Sequence, residues 1–416
     1  MRMFSFLQHK SFSALIHAEF STYIVARFFF IMVLTMQATL ISWKVFEITH
    51  DPFSIGLIGL VEFVPAVIMA LYSGYIIDKS DKKKLLYLSI GANLLLTILF
   101  AYITSKQASS ILSQNTVLIL IYIIAFCTGI ARAFSGPTSF ALVSMLVPKE
   151  KIPNAISWHS SSWQIAGVGG PALGGLLYGS KGITFTFTLM IIMMTIAVII
   201  LFFIGPKPPA TQLKGEPMLK SIREGFKFVW NTKEILGVIT LDLFAVFFGG
   251  ATALLPYFSD VILKTGAEGL GILRAAPGIG AIIVMLIINF IPMKSNQGKW
   301  MLLCVAGFGM SIITFGVSSW FWISFGALLI SGLLDGISII VRSTVLQLKT
   351  PEHMKGRVSA LNSIFIISSN ELGAFESGFA SRIMGVVPSV VFGGAMTIGI
   401  VVYTWFKLPG VRKISY

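Results

Sequence analysis

Residues 54–84 read SIGLIGLVEFVPAVIMALYSGYIIDKSDKKK. Up to Ile77 the run is apolar except for Glu62 and two serines, and it is longer than the ~20 residues a helix needs to cross a hydrocarbon core. Four lysines (79, 82, 83 and 84) then follow within six positions. An apolar run ending on clustered lysine is how a spanning helix meets the cytoplasmic face. A single acid in its middle is costly in lipid and so points inward.

The same pattern recurs along the chain. Apolar stretches lie near 20–42, 54–77, 85–105, 116–138, 155–178, 183–204, 236–258, 268–292, 300–318, 319–346, 358–380 and 388–407, which predicts twelve spans. Of 416 residues, 55% are hydrophobic and 12% charged, and the mean hydropathy is +0.86. A soluble enzyme, a disordered chain and a disulfide scaffold are thereby excluded. The first run is too long for a cleaved signal core and reads as an uncleaved first span. Cys127 and Cys304 both lie in apolar runs and read as packing residues.

The net charge of +14 follows from topology and requires no nucleic-acid partner. The termini and the 2/3, 4/5, 6/7, 8/9 and 10/11 loops hold 22 of the 31 Lys and Arg, the opposite loops hold 5, and Arg27, Arg132, Arg274 and Arg342 lie within spans. The positive-inside rule therefore predicts cytoplasmic termini. The longest polar stretch, Gly205–Leu236, contains a basic amphipathic segment expected to lie on the membrane surface. The expected organisation is a six-helix bundle over 1–204, a cytoplasmic linker over 205–235 and a second six-helix bundle over 236–416. Internal similarity supports a duplication. Gly59–Pro65 aligns with Gly271–Pro277 at an offset of 212, and Gly129–Arg132 with Gly332–Asp335 at 203. Parallel repeats of this kind place a substrate site near the bilayer midplane.

Intramembrane charges normally mark a substrate or ion pathway. The candidates are Arg27, Glu62, Arg132, Asp242, Arg274, Asp335, Arg342 and Glu371, with Glu376 less central. Spans 3, 6, 9 and 12 carry none and read as lipid-facing. Helical spacing puts Ser331, Asp335, Ser338 and Arg342 on one face of span 10, and Thr128, Arg132, Ser135 and Ser139 on one face of span 4. In span 11, Ser359, Asn362, Ser369 and Glu376 align in the same way. The competing reading is that such charges are static ion pairs between helices. Asp335 and Glu62 lead as proton carriers, because a carboxyl group in apolar surroundings holds its proton more readily. Arg132 or Arg274 could hold either acid ionised, and Asp242 is close enough to the cytoplasmic end for solvated capping to be a rival. His159 reads as hydrogen-bonded rather than as a relay, and Trp158 and Trp163 as candidates for lining a cavity.

Gly74–Lys84 (GYIIDKSDKKK) resembles the signature between spans 2 and 3 of the major facilitator superfamily, with Asp81 standing where that pattern carries glycine. The resemblance implies a cytoplasmic gate of Gly74, Asp78, Lys79, Lys82 and Lys83, in which Asp78 latches the two halves. The second-half counterpart near Lys294–Lys299 has lost its acid. GGPALGGLL (169–177) looks like the family's antiporter signature, matched at Gly170, Pro171, Gly174 and Gly175. Arg132 followed by Gly136 is similar to the family's arginine signature in span 4. THDPFSIGLIGLVEFVP (49–65), PNAISWHSSSWQIAGVGGPALGGLLYG (153–179) and KGRVSALNS (355–363) resemble the bacterial branch that includes the enterobactin exporter and macrolide efflux proteins.

That resemblance implies an all-α integral membrane protein with twelve transmembrane helices in two pseudo-symmetric six-helix bundles. It also implies a monomer in the bacterial cytoplasmic (inner) membrane that exports a siderophore or amphipathic drug-like molecule by proton antiport, as in multidrug resistance. The partners expected are the small-molecule substrate, protons and the bilayer. The alternative is a lipid, lysophospholipid or metabolite facilitator of the same fold. The sequence holds no HExxH, no GxxxxGK[ST] and no dinucleotide fingerprint, so neither a metal nor a cofactor is expected and the chain does not read as an enzyme.

Overall fold

The computed structural model describes residues 12–208, 218–290, 295–351 and 354–415. Spans 1 to 4 are the helices Ala18–Thr49, Pro52–Lys79, Lys82–Ile103 and Gln114–Leu146. Spans 5 and 6 form one long helix, Ile152–Phe202, broken at Gly182, where φ is +80°. A side chain is strained at that angle, so glycine permits the break. A surface helix, Met218–Asn231, precedes span 7, Lys233–Gly249. Span 7 continues through short 3₁₀, α and π turns to Ile262. Spans 8 to 12 are Gly266–Phe290, Gln297–Val317, Phe321–Lys349, Lys355–Met384 and Val386–Lys407. Among the described residues, ten helices are long and apolar enough to cross a membrane. The helix broken at Gly182 counts once among them, and the polar span 11 is not among them. All-helical backbone is what a bilayer demands, since each N–H and C=O must be satisfied within its own segment.

The chain forms two compact units, Met1–Ile48 with Val64–Leu213, and Thr49–Phe63 with Lys214–Tyr416. Span 2 therefore changes unit at Phe63/Val64, immediately before Pro65, whose ring removes one helical hydrogen bond.

In the first unit, span 5 lies against span 1. Gly170 faces Thr35 and Met32, and a side chain at Gly174 would meet the Met36 backbone at 3.3 Å. Thr35 Oγ1 donates to the Ala166 carbonyl at 3.1 Å, and Thr97 donates to buried Gln37 at 2.7 Å, tying span 3 to span 1. In the second unit, spans 7, 9, 10 and 11 share an apolar core that includes Val238, Leu302, Val341 and Leu361. Spans 8 and 10 meet closely where Gly332 faces Pro277 and Gly336 faces Ala281 and Val284. Small residues at such seams let helices approach without a hydrophobic driving force.

Candidate transport site

The charged residues of the second unit fall into two groups. In the first, Arg274 of span 8 is acted on by the charges of Glu62 of span 2 and Glu371 of span 11. All three are half-buried. The approach is made possible by Gly59, one turn before Glu62. A side chain there would meet the Glu371 carbonyl at 2.8 Å and its carboxylate at 3.5 Å. Gly56 does the same one turn earlier, 2.9 Å from the Ala374 carbonyl. Phe53 then packs against Phe375 and Phe379, with the Arg382 guanidinium 5.2 Å from its ring. Glu62 and Arg274 are equivalent positions of the two repeats, so the internal duplication supplies an acid and a base to one cluster.

The second group is an ion pair between Asp242 of span 7 and Arg342 of span 10. Both residues are buried, at 7% and 4% exposure, so Asp242 is a paired interior acid and not a solvated cap. On span 10, Ser331, Ser338 and Arg342 are buried and Asp335 is half-buried, on the flank of the seam made by Gly332 and Gly336. In span 11, Ser369 is buried, Glu376 and Asn362 are half-buried and Ser359 is exposed.

In the first unit, Arg27 is a buried cation held among neutral partners. Its Nε donates to Ser139 Oγ at 3.1 Å and an Nη donates to the His159 carbonyl at 2.9 Å. The Trp163 ring lies 6.0 Å away, within reach of a cation–π contact. Tyr23, one helical turn before Arg27, donates to the Ser139 carbonyl at 2.8 Å and lies 2.6 Å from its hydroxyl. The His159 ring stacks on Tyr23 at 6.3 Å. Spans 1, 4 and 5 are thus joined through one arginine. Arg132 stands apart in exposure, being accessible while Thr128, Ser135 and Ser139 of its stripe are buried.

The loop after span 2 is built mostly on backbone capping. Asp81 has φ −63° and accepts from the Lys84 and Lys207 amides at 2.9 and 2.8 Å. It is therefore the N-cap of span 3, and the turn needs no glycine. Lys82 is buried and donates to the Ile77 and Ser80 carbonyls at the end of span 2. Lys83 donates to the Phe202 carbonyl at 3.0 Å and lies over its ring. Gly74 is half-buried and Lys79 exposed, while the Asp78 side chain and Lys294 lie outside the described residues. Pro171 and Gly175 are buried beside Gly170 and Gly174, so this signature forms the seam between spans 5 and 1. No metal-holding group of three or more His, Cys, Asp or Glu occurs among the described residues.

Tyr23 and the Gln37–Thr97 bond were not singled out by sequence reasoning. A tyrosine four residues before an intramembrane arginine, and an amide inside an apolar run, were the available signals.

The Major Facilitator Superfamily profile matches residues 23–374, and the chain belongs to that family. Its fold is the twelve-helix fold of that family. The chain is 25% identical over 370 residues to the enterobactin exporter EntS of Shigella boydii, covering 89% of this chain and 87% of that protein. It is 24% identical to EntS of Escherichia coli over the same coverage. Among solved structures, a D-xylose-proton symporter superposes with TM-score 0.75 at 12% identity, over 97% of this chain and all of that one. The nucleoside transporter NupG gives 0.72 at 13% identity, over 95% of this chain and 100% of that one. At such identities these two show the fold alone.

Proposed function

We propose that this transporter exports a siderophore or amphipathic drug-like molecule from the cytoplasm by proton antiport, through alternating access. It would act as a monomer in the bacterial inner membrane with both termini cytoplasmic. The observation that carries the reading is the convergence of Glu62 and Glu371 on Arg274. Two acids sharing one guanidinium leave one negative charge in excess when both are ionised, and none when one of them takes a proton.

In this reading Glu62 and Asp335 exchange protons with the cytoplasm and the exterior, and Arg274 and Glu371 belong to the same pathway. Arg27 and Arg132 supply positive charge to the substrate pathway, and the Asp242–Arg342 pair belongs to its wall. Gly74, Asp78, Lys79, Lys82 and Lys83 form the cytoplasmic gate, and Gly170, Pro171, Gly174 and Gly175 the antiporter seam. Binding of a proton and of substrate are mutually unfavourable, and that coupling makes exchange obligatory. The relatives named as enterobactin exporters favour a catecholate substrate.

Proteoliposomes with an imposed proton gradient provide the test, with an amphipathic fluorescent dye and an iron-free catecholate siderophore as probes. Gradient-driven movement of either one, abolished by an uncoupler and by Glu62→Gln or Asp335→Asn, is the expected result. Folded protein that moves neither probe refutes the assignment.

A further inference from the structure

The surface helix Met218–Asn231 has two unlike faces. One is docked within the second unit. Glu224 pairs with Arg357 at the start of span 11, and Gly225 approaches so closely that a side chain would meet Leu361 and Arg357 at 3.1 and 3.2 Å. Val229 is 2% exposed, and Phe228 packs on the same apolar core. The opposite face consists of Arg223, Phe226, Lys227 and Trp230, at steps of three, one and three, all exposed. Phe226 and Trp230 are 48% and 61% exposed, yet their rings stack on one another at 5.9 Å and form a flat aromatic plate beside the two cations.

Only Thr232, with φ −98° and ψ 89°, separates this helix from span 7, so Trp230 stands three residues before a membrane span begins. We propose that Arg223, Phe226, Lys227 and Trp230 form a binding surface for anionic phospholipid headgroups of the leaflet that span 7 enters. Tryptophan and phenylalanine with flanking arginine and lysine are the side chains that partition to such an interface. The two cations have the sign that complements an anionic lipid, and the docked face holds the plate at the level of the span's end. A soluble protein partner would not need the plate next to a span. Arg357 ties the docked face of the helix to the first turn of span 11.

The test uses the full-length protein in nanodiscs carrying trace brominated phosphatidylglycerol or brominated phosphatidylcholine. The fluorescence of the unmodified protein minus that of Trp230→Phe isolates the Trp230 signal. Each cation near an anionic surface is worth roughly fivefold in local enrichment. Quenching of Trp230 by the anionic lipid should therefore exceed that by the zwitterionic one severalfold. The preference should vanish in Arg223→Gln/Lys227→Gln and persist in Arg223→Lys/Lys227→Arg, and neither pair touches the docked face. Equal quenching by both lipids overturns the proposal, as does quenching by neither, the result expected of a surface covered by protein.

Discussion

Asp242→Asn isolates the energetics of the buried pair. The substitution keeps the shape of the side chain but leaves the Arg342 guanidinium, 4% exposed, without its counter-charge. Removing one partner of a buried ion pair costs about 3–5 kcal/mol, because the remaining charge stays desolvated. The unit that holds the pair has about two hundred residues, for which each kcal/mol lowers the apparent Tm by roughly 2–4 °C, so a fall of about 6–20 °C is expected. Replacing both residues, Asp242→Leu with Arg342→Met, removes the stranded charge and should return the protein to within ~1 kcal/mol of the original or above it. The exposed pair Lys349–Glu234, 4.0 Å apart, is the control, and Glu234→Gln should shift stability by less than ~1 kcal/mol. Heating in detergent followed by fluorescence-detected size exclusion gives all four values. If the double variant is destabilised as much as Asp242→Asn or more, the stranded charge is not the source of the loss and the reasoning fails.

Three further outcomes follow from named contacts. Gly170→Val drives a side chain into Thr35 Oγ1 and the Met32 carbonyl, and should abolish recovery of monodisperse protein, whereas Gly167→Ala, with open space at its Cβ position, should leave recovery unchanged. Asp81→Ala removes the N-cap of span 3 and the acceptor for the Lys207 amide, and should cost about 0.5–2 kcal/mol in the same thermal assay. Tyr23→Phe breaks the bond to the Ser139 carbonyl and should cost about 0.5–1.5 kcal/mol, detectable also as faster hydrogen exchange around Ser139 in span 4.

The apolar runs, their lysine-rich ends and the Gly59–Pro65 and Gly271–Pro277 repeat are properties of a linear chain. They specified spans and family, because a bilayer imposes length and polarity on each segment separately. The same logic located Glu62, Asp242, Arg274, Arg342 and Glu371 as intramembrane charges. What it could not supply was their pairing. The sequence is equally compatible with Arg274 facing Asp335, yet it is Glu62 and Glu371 that act on it, the two acids being brought together where Gly59 lets spans 2 and 11 approach. From its position along span 7, Asp242 reads as a pathway charge with solvated capping as the rival, and only the crossing of spans 7 and 10 gives it Arg342. Likewise Asp81 reads as a misplaced residue until the Lys207 amide is found bonded to it. Hydropathy is summed along the chain and survives without knowledge of neighbours, whereas an ion pair depends on two side chains meeting within a few ångströms, and that is decided by helix packing.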